Sequence, residues 1–188
     1  MIGRRRCLFA LLVLQLELVK ALTGVPLNTN SRWIVNQQGK RVKLACVNWV
    51  AHLEPVVAEG LSDKPLHQIS KGIKSMGFNC VRLTWPVLLV TNDSLASLTV
   101  RQSFQNLALT DSIAAIQANN PSIIDLTLIQ AFQAVVKSME DNDVMVILDN
   151  HVTQPGWCCN DNDDNGFFGD KYFKAELWLA FSMESAMW

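Results

Sequence analysis

The stretch that most constrains this chain is Val144-Met145-Val146-Ile147-Leu148, which runs directly into Asp149-Asn150-His151. Five consecutive apolar residues, three of them β-branched, suit a strand covered on both faces, as in a parallel sheet. Polar residues at the carboxyl end of such a strand stand where open and closed parallel sheets place their ligands. Two earlier segments repeat the design. Val42 to Val47 ends in Asn48-Trp49, and Phe78 to Leu83 carries Arg82 inside an otherwise apolar run.

Helical spacing fills the gaps. Leu66, Ile69, Ile73 and Met76 are three, four and three apart and make one stripe. Ser62 or Asp63 is the expected N-cap, Pro65 falls in the first turn, and Gly77 is the expected C′ residue. A helix over 94–107 is expected on Leu95, Leu98 and Phe104. Another, from Thr127 to Asn142, presents Leu128, Phe132, Val135 and Met139 on one face. Strand, helix, strand within one span is a βαβ unit. Ahead of the first buried strand, Trp33-Ile34-Val35 and Val42-Lys43-Leu44 flank the loop Asn36 to Lys40, which contains Gly39, and read as a hairpin.

The first 21 residues carry a separate signal. Arg4-Arg5-Arg6 precedes the apolar run Cys7 to Leu14, and Val19-Lys20-Ala21 offers a cleavage site. This reads as a secretory signal peptide over 1–21. Its apolar run is far short of the ~20 residues a spanning helix needs, so no stable membrane span is expected. The segment holds four cations and one anion, so its loss takes the formal charge from -1 to near -4. That balance gives no footing for a nucleic-acid partner. The expected localisation is extracellular.

In a secreted chain Asn92-Asp93-Ser94 is a glycosylation sequon, with Asn92 the acceptor. Cys46 and Cys80 fall inside expected strands and are read as small buried hydrophobes. Cys158-Cys159 sit in a loop, where an oxidising compartment allows a disulfide. Asp161, Asp163 and Asn165 match the first half of a calcium loop. Tyr172 stands where a bidentate Glu belongs, so a solvated turn is the expectation and no metal is assigned. No cofactor is expected.

Val-Lys-Leu-Ala-Cys-Val-Asn-Trp (42–49), Gly-Phe-Asn-Cys-Val-Arg-Leu (77–83) and Val-Ile-Leu-Asp-Asn-His (146–151), with the hairpin before them, resemble the start of a glycoside hydrolase family 5 enzyme. Trp-Cys-Cys (157–159) and Asn-Gly-Phe-Phe-Gly-Asp (165–170) resemble its plant-type, cellulase-like branch. The resemblance implies an α/β fold. About three βα units of a (β/α)8 TIM barrel would occupy 22–179, incomplete, with a divergent tail over 180–188. It implies retaining hydrolysis of O-glycosyl bonds in a polysaccharide or oligosaccharide substrate. Arg82 would hold the nucleophilic carboxylate, and His151 would line the subsite beside the scissile bond. Asn48, Trp49, Trp85, Asn150 and Trp157 would contact sugar, although each Trp reads equally well as core.

The family's acid/base is the Glu of an Asn-Glu pair ending its fourth strand, and its nucleophile a Glu ending the seventh. No Asn-Glu dipeptide occurs here, and neither Glu176 nor Glu184 follows a buried strand. A retaining glycosidase needs two carboxylates about 5–5.5 Å apart. The expectation is therefore a chain inactive by itself. The alternative is a non-catalytic isoform or fragment with weak glycan binding.

Overall fold

The computed structural model describes residues 26–158, 160, 162–166, 169–172, 175 and 176. The expected signal peptide, residue 159 and the expected tail lie outside them. The chain divides into two units, one ending at Leu44 and one beginning at Ala45.

In the first unit, β1 (Asn28–Asn30) pairs antiparallel with β2 (Trp33–Val35). Ser31 sits in the turn with φ 54°. The expected hairpin thus has an additional arm on its amino side. Its expected second arm is reduced to a bridge, Val35 with Arg41, and one hydrogen bond from Val42 N to Ile34 O. The guanidinium of Arg41 lies 3.3 Å from the centroid of the Trp33 ring, so a cation covers this aromatic face.

The second unit is a three-stranded parallel sheet in the order β3 (Cys46–Trp49), β4 (Cys80–Pro86), β5 (Met145–Val152). Sequence order equals spatial order, which is how the opening of a (β/α)8 barrel is laid down. Helix α1 (Leu66–Ser75) links β3 to β4. Between β4 and β5 come α2 (Leu88–Thr91), α3 (Asp93–Ala96), α4 (Val100–Asn106), α5 (Thr110–Asn119) and α6 (Leu128–Glu140). Val81, Leu83 and Trp85 of β4 pack with Leu128, Phe132, Val135 and Met139 of α6 in one core. Each fully buried side chain of this size contributes about 1.5–3 kcal/mol.

Local chemistry sets the helix bounds. Thr127 and Gln130 form a capping box at the start of α6, and Thr99 and Gln102 form another at α4. The second box splits the helix expected over 94–107 into α3 and α4. Helix α1 starts at Leu66, later than Ser62 or Asp63 suggested, and has no cap from its own segment. Its cap comes from Asn120, whose Oδ1 accepts the Leu66 N–H at 2.7 Å. The Asn120 Nδ2 donates to the Leu61 and Lys64 carbonyls. Met76 lies beyond the last turn and is exposed, so it leaves the expected stripe, whereas Gly77 takes the left-handed C′ position with φ 91°.

Two expectations change at the sheet. Cys46 and Cys80 are in-register partners on adjacent strands and are joined as a disulfide. The reading of two independent buried thiols is therefore corrected. In-register pairing placed their Cα atoms 4.3 Å apart, which one strand's sequence could not reveal. Strand β5 was expected to be buried on both faces. Among the described residues it pairs only with β4, and Ile147 and Leu148 are 40% and 42% exposed.

Candidate active site

Strand alternation sorts the site residues. In register, Asn48 stands beside Arg82 and Arg82 beside Ile147, while Thr84 stands beside Asp149. Period two puts Asn48, Arg82, Thr84 and Asp149 on one face. The ladder shifts between Trp85 and Pro86, which pair with Asn150 and Val152, so His151 is an extra residue on β5. His151, two residues beyond Asp149, stays on the Asp149 face by alternation, and the shift puts Val152 in register with Pro86.

The result is a compact polar cluster above the carboxyl ends of the strands. Arg82 Nη2 donates to Asp149 Oδ2 at 2.8 Å, and His151 Nδ1 is 2.8 Å from the same oxygen. Arg82 Nη2 and His151 Nδ1 are 3.3 Å apart. One carboxylate oxygen thus satisfies both a guanidinium and an imidazole. The cation that lacked a partner along its own strand finds it on the neighbouring one.

A second imidazole completes the cluster. The His52 ring lies 4.5 Å from that of His151, centroid to centroid. Its Nδ1 is 2.7 Å from Thr84 Oγ1, which also accepts the Ala51 N–H at 3.2 Å. His52 is 4% exposed. Burial, with the neighbouring His151, lowers its pKa to about 4. It is a neutral imidazole across the neutral range. The loop after β5 is tied to this point, since Gly156 N donates to His52 O at 3.0 Å.

Of the residues selected from sequence, Arg82, His151 and Asn48 share this face. Trp157, in the tied loop, is 79% exposed and presents an open indole. Trp49, Trp85 and Asn150 stand on the opposite face of the sheet from Arg82 by register. Trp49 is buried and donates its Nε1–H to Glu59 O at 2.9 Å. Trp85 packs against Phe132 at 6.2 Å and, with Leu89 and Leu148, lines an apolar cavity of about 220 Å³ beneath α6. Asn150 is the in-register partner of Trp85, and alternation turns both from Arg82.

His52 and Thr84 were not selected from sequence. Thr84 is two residues beyond Arg82, and period two would have found it. His52 lies past its strand in a loop, where no spacing rule applies. The Asp161 position lies outside the described residues. Asn165 serves its own loop, accepting Gln154 N at 2.7 Å and donating to Gln154 O. Cys158 is disulfide-bonded, as the loop reading allowed, and residue 159 falls outside the described residues.

Comparison with known proteins follows this geometry. The cellulase family (glycosyl hydrolase family 5) matches residues 35–183. A glycosyl hydrolase 5 family protein of Chamaecyparis obtusa is 49% identical over 176 residues, which cover 93% of this chain and 31% of that protein. This chain therefore spans about a third of the length of that curated relative. The catalytic domain of the major endoglucanase from Xanthomonas campestris pv. campestris superposes with a TM-score of 0.65 at 22% identity, over 86% of this chain and 40% of that one. An endocellulase from Pyrococcus horikoshii, in a complex with cellotetraose, gives 0.62 at 22% identity, over 87% and 39%. These two likenesses establish the fold as a portion of a barrel. Matched over most of its length, the chain belongs to the cellulase family, glycosyl hydrolase family 5.

Proposed function

We propose that this chain supplies one wall of the glycan cleft of a cellulase-like, retaining O-glycosyl hydrolase. The carrying observation is the Arg82–Asp149–His151 cluster over the carboxyl ends of three parallel strands. Asn48 lies on the same face, and Trp157 offers an exposed ring to a sugar. The guanidinium is held in place for a carboxylate it would orient, and the imidazole for a hydroxyl it would bind.

On this reading the two carboxylates that cut the glycosidic bond are not among the residues of this cluster. Double displacement needs two carboxylates in acid/base and nucleophile roles. Asp149 is already engaged by Arg82 and His151, and no Asn-Glu pair exists to supply the acid. The alternative, a non-catalytic product with weak glycan binding, draws on the exposed Trp157. One experiment separates the two. The purified chain is titrated with cellotetraose and assayed on a chromogenic cellobioside. No turnover is expected, together with weak binding lost in Trp157→Ala. Turnover abolished by Arg82→Ala would overturn the inactive reading.

The chain is proposed to be exported, with cleavage near Ala21 and glycosylation at Asn92. Asn92 is exposed and caps α3 through Oδ1, which accepts Leu95 N at 3.1 Å, so the glycan-accepting Nδ2 stays clear of the cap. Amino-terminal sequencing of secreted material, and its mass before and after amidase treatment, test both points.

A further inference from the structure

We propose that His52, His151 and Cys158 form a transition-metal site, of the kind Zn2+ occupies, which is closed while the Cys158 disulfide stands and opens on its reduction. One ring nitrogen of each histidine and the Cys158 Sγ lie within 4.8 Å of one another. Zinc bound to nitrogen and sulfur at ordinary lengths holds its ligands about 3.3–3.7 Å apart, so the three need close by only about 1 Å. The backbone bond from Gly156 to His52 already fixes the loop carrying Cys158 against this point.

The surroundings are those of a metal site's outer shell. His151 Nδ1 faces Asp149 Oδ2 at 2.8 Å, and His52 Nδ1 faces Thr84 Oγ1 at 2.7 Å. Each ring is held through Nδ1, which leaves Nε2 as the nitrogen to bind metal. A carboxylate or hydroxyl behind a ligating histidine sets its tautomer and orientation. Asp149 offsets the charge of Arg82, so an incoming cation does not meet a bare guanidinium. Two imidazoles and a thiolate suit zinc, and three protein ligands leave a fourth position open.

In the oxidised chain the Cys158 sulfur is bound to another sulfur and is not a thiolate. A water-soluble phosphine reduces it. The phosphorus gives up two electrons and takes the oxygen of one water, leaving as phosphine oxide. The S–S bond breaks, and each sulfur gains one proton. Zinc binding then displaces the Cys158 thiol proton to solvent.

The test uses the whole purified chain, with Co2+ as spectroscopic probe and Zn2+ as competitor. After phosphine reduction, Co2+ is expected to give a thiolate-to-cobalt charge-transfer band that saturates at one equivalent and vanishes on adding Zn2+. The oxidised chain gives no band. Reduced Cys158→Ser loses it, although Cys46, Cys80 and Cys159 remain. Asp149→Asn keeps the band and binds about 10–100-fold more weakly. In the reduced unmutated chain, Zn2+ shifts the imidazole resonances of His52 and His151 and leaves His67 unmoved. No band after reduction, a band retained in Cys158→Ser, or a shift at His67 alone overturns the proposal. None of these readings depends on glycan binding.

Discussion

Asp149 Oδ2 accepts from Arg82 Nη2 at 2.8 Å across two neighbouring parallel strands, although the two residues are far apart in sequence. The guanidinium side chain is 39% exposed and the carboxylate side chain 20%. The pair sits between a surface ion pair and a buried one, and water screens part of its attraction. Asp149→Ala is expected to lower stability by about 1 kcal/mol and to release His151 as well. Urea unfolding measures the first effect. A moved His151 imidazole resonance by NMR measures the second, and an unmoved resonance would contradict the shared-oxygen arrangement.

His52 makes stability depend on pH. Its folded pKa is about 4 against an ordinary value of 6.5. Between those values the unfolded chain holds the proton that the folded chain refuses, so stability rises with pH. The contribution is complete above pH 6.5 and is lost as pH falls toward 4, to a limit of about 3 kcal/mol. Below pH 4 this group adds no further slope. His52→Gln should flatten the profile in that window, as read by denaturant midpoints at stepped pH.

Asn120 is the remote cap of α1. Its amide meets Leu66 N, Leu61 O and Lys64 O, and all three bonds are lost in Asn120→Ala. Buried groups left without partners cost about 1–3 kcal/mol each, and partial access of water brings the expected total to roughly 2–4 kcal/mol. Asn120→Asp keeps the acceptor for Leu66 N but loses both donations. It should therefore recover little of the loss in equilibrium unfolding.

The Cys46–Cys80 bridge closes a sequence separation of 34 residues across the first βα unit. Chain entropy gives such a closure about 3–4 kcal/mol of stabilisation. The double replacement Cys46→Ala and Cys80→Ala is expected to lose that amount in chemical unfolding while keeping the sheet's far-ultraviolet signature. A loss below about 1 kcal/mol would mean that the unfolded chain is already constrained there.

Period determined the three strands of the sheet and most of the faces of α1 and α6, because buried strands and amphipathic helices write their burial into consecutive residues, while the family was legible only as a resemblance of the motifs at 42–49, 77–83 and 146–151. The capping box at Thr99 was there to be read, yet the apolar anchors on either side of it suggested one helix. Three things were decided only by the tertiary structure. Lateral register joined Cys46 to Cys80 and gave Arg82 its carboxylate, since hydrogen bonding between strands links residues that no local spacing relates. Packing against α6 decided which face of the sheet is covered, so Trp85 lies against Phe132 while His151 and Asp149 meet at 2.8 Å on the other face. A loop carried His52 to Thr84 and His151, and a segment beyond α5 carried Asn120 to the start of α1. In both, the partner is chosen by the closing of the chain in three dimensions.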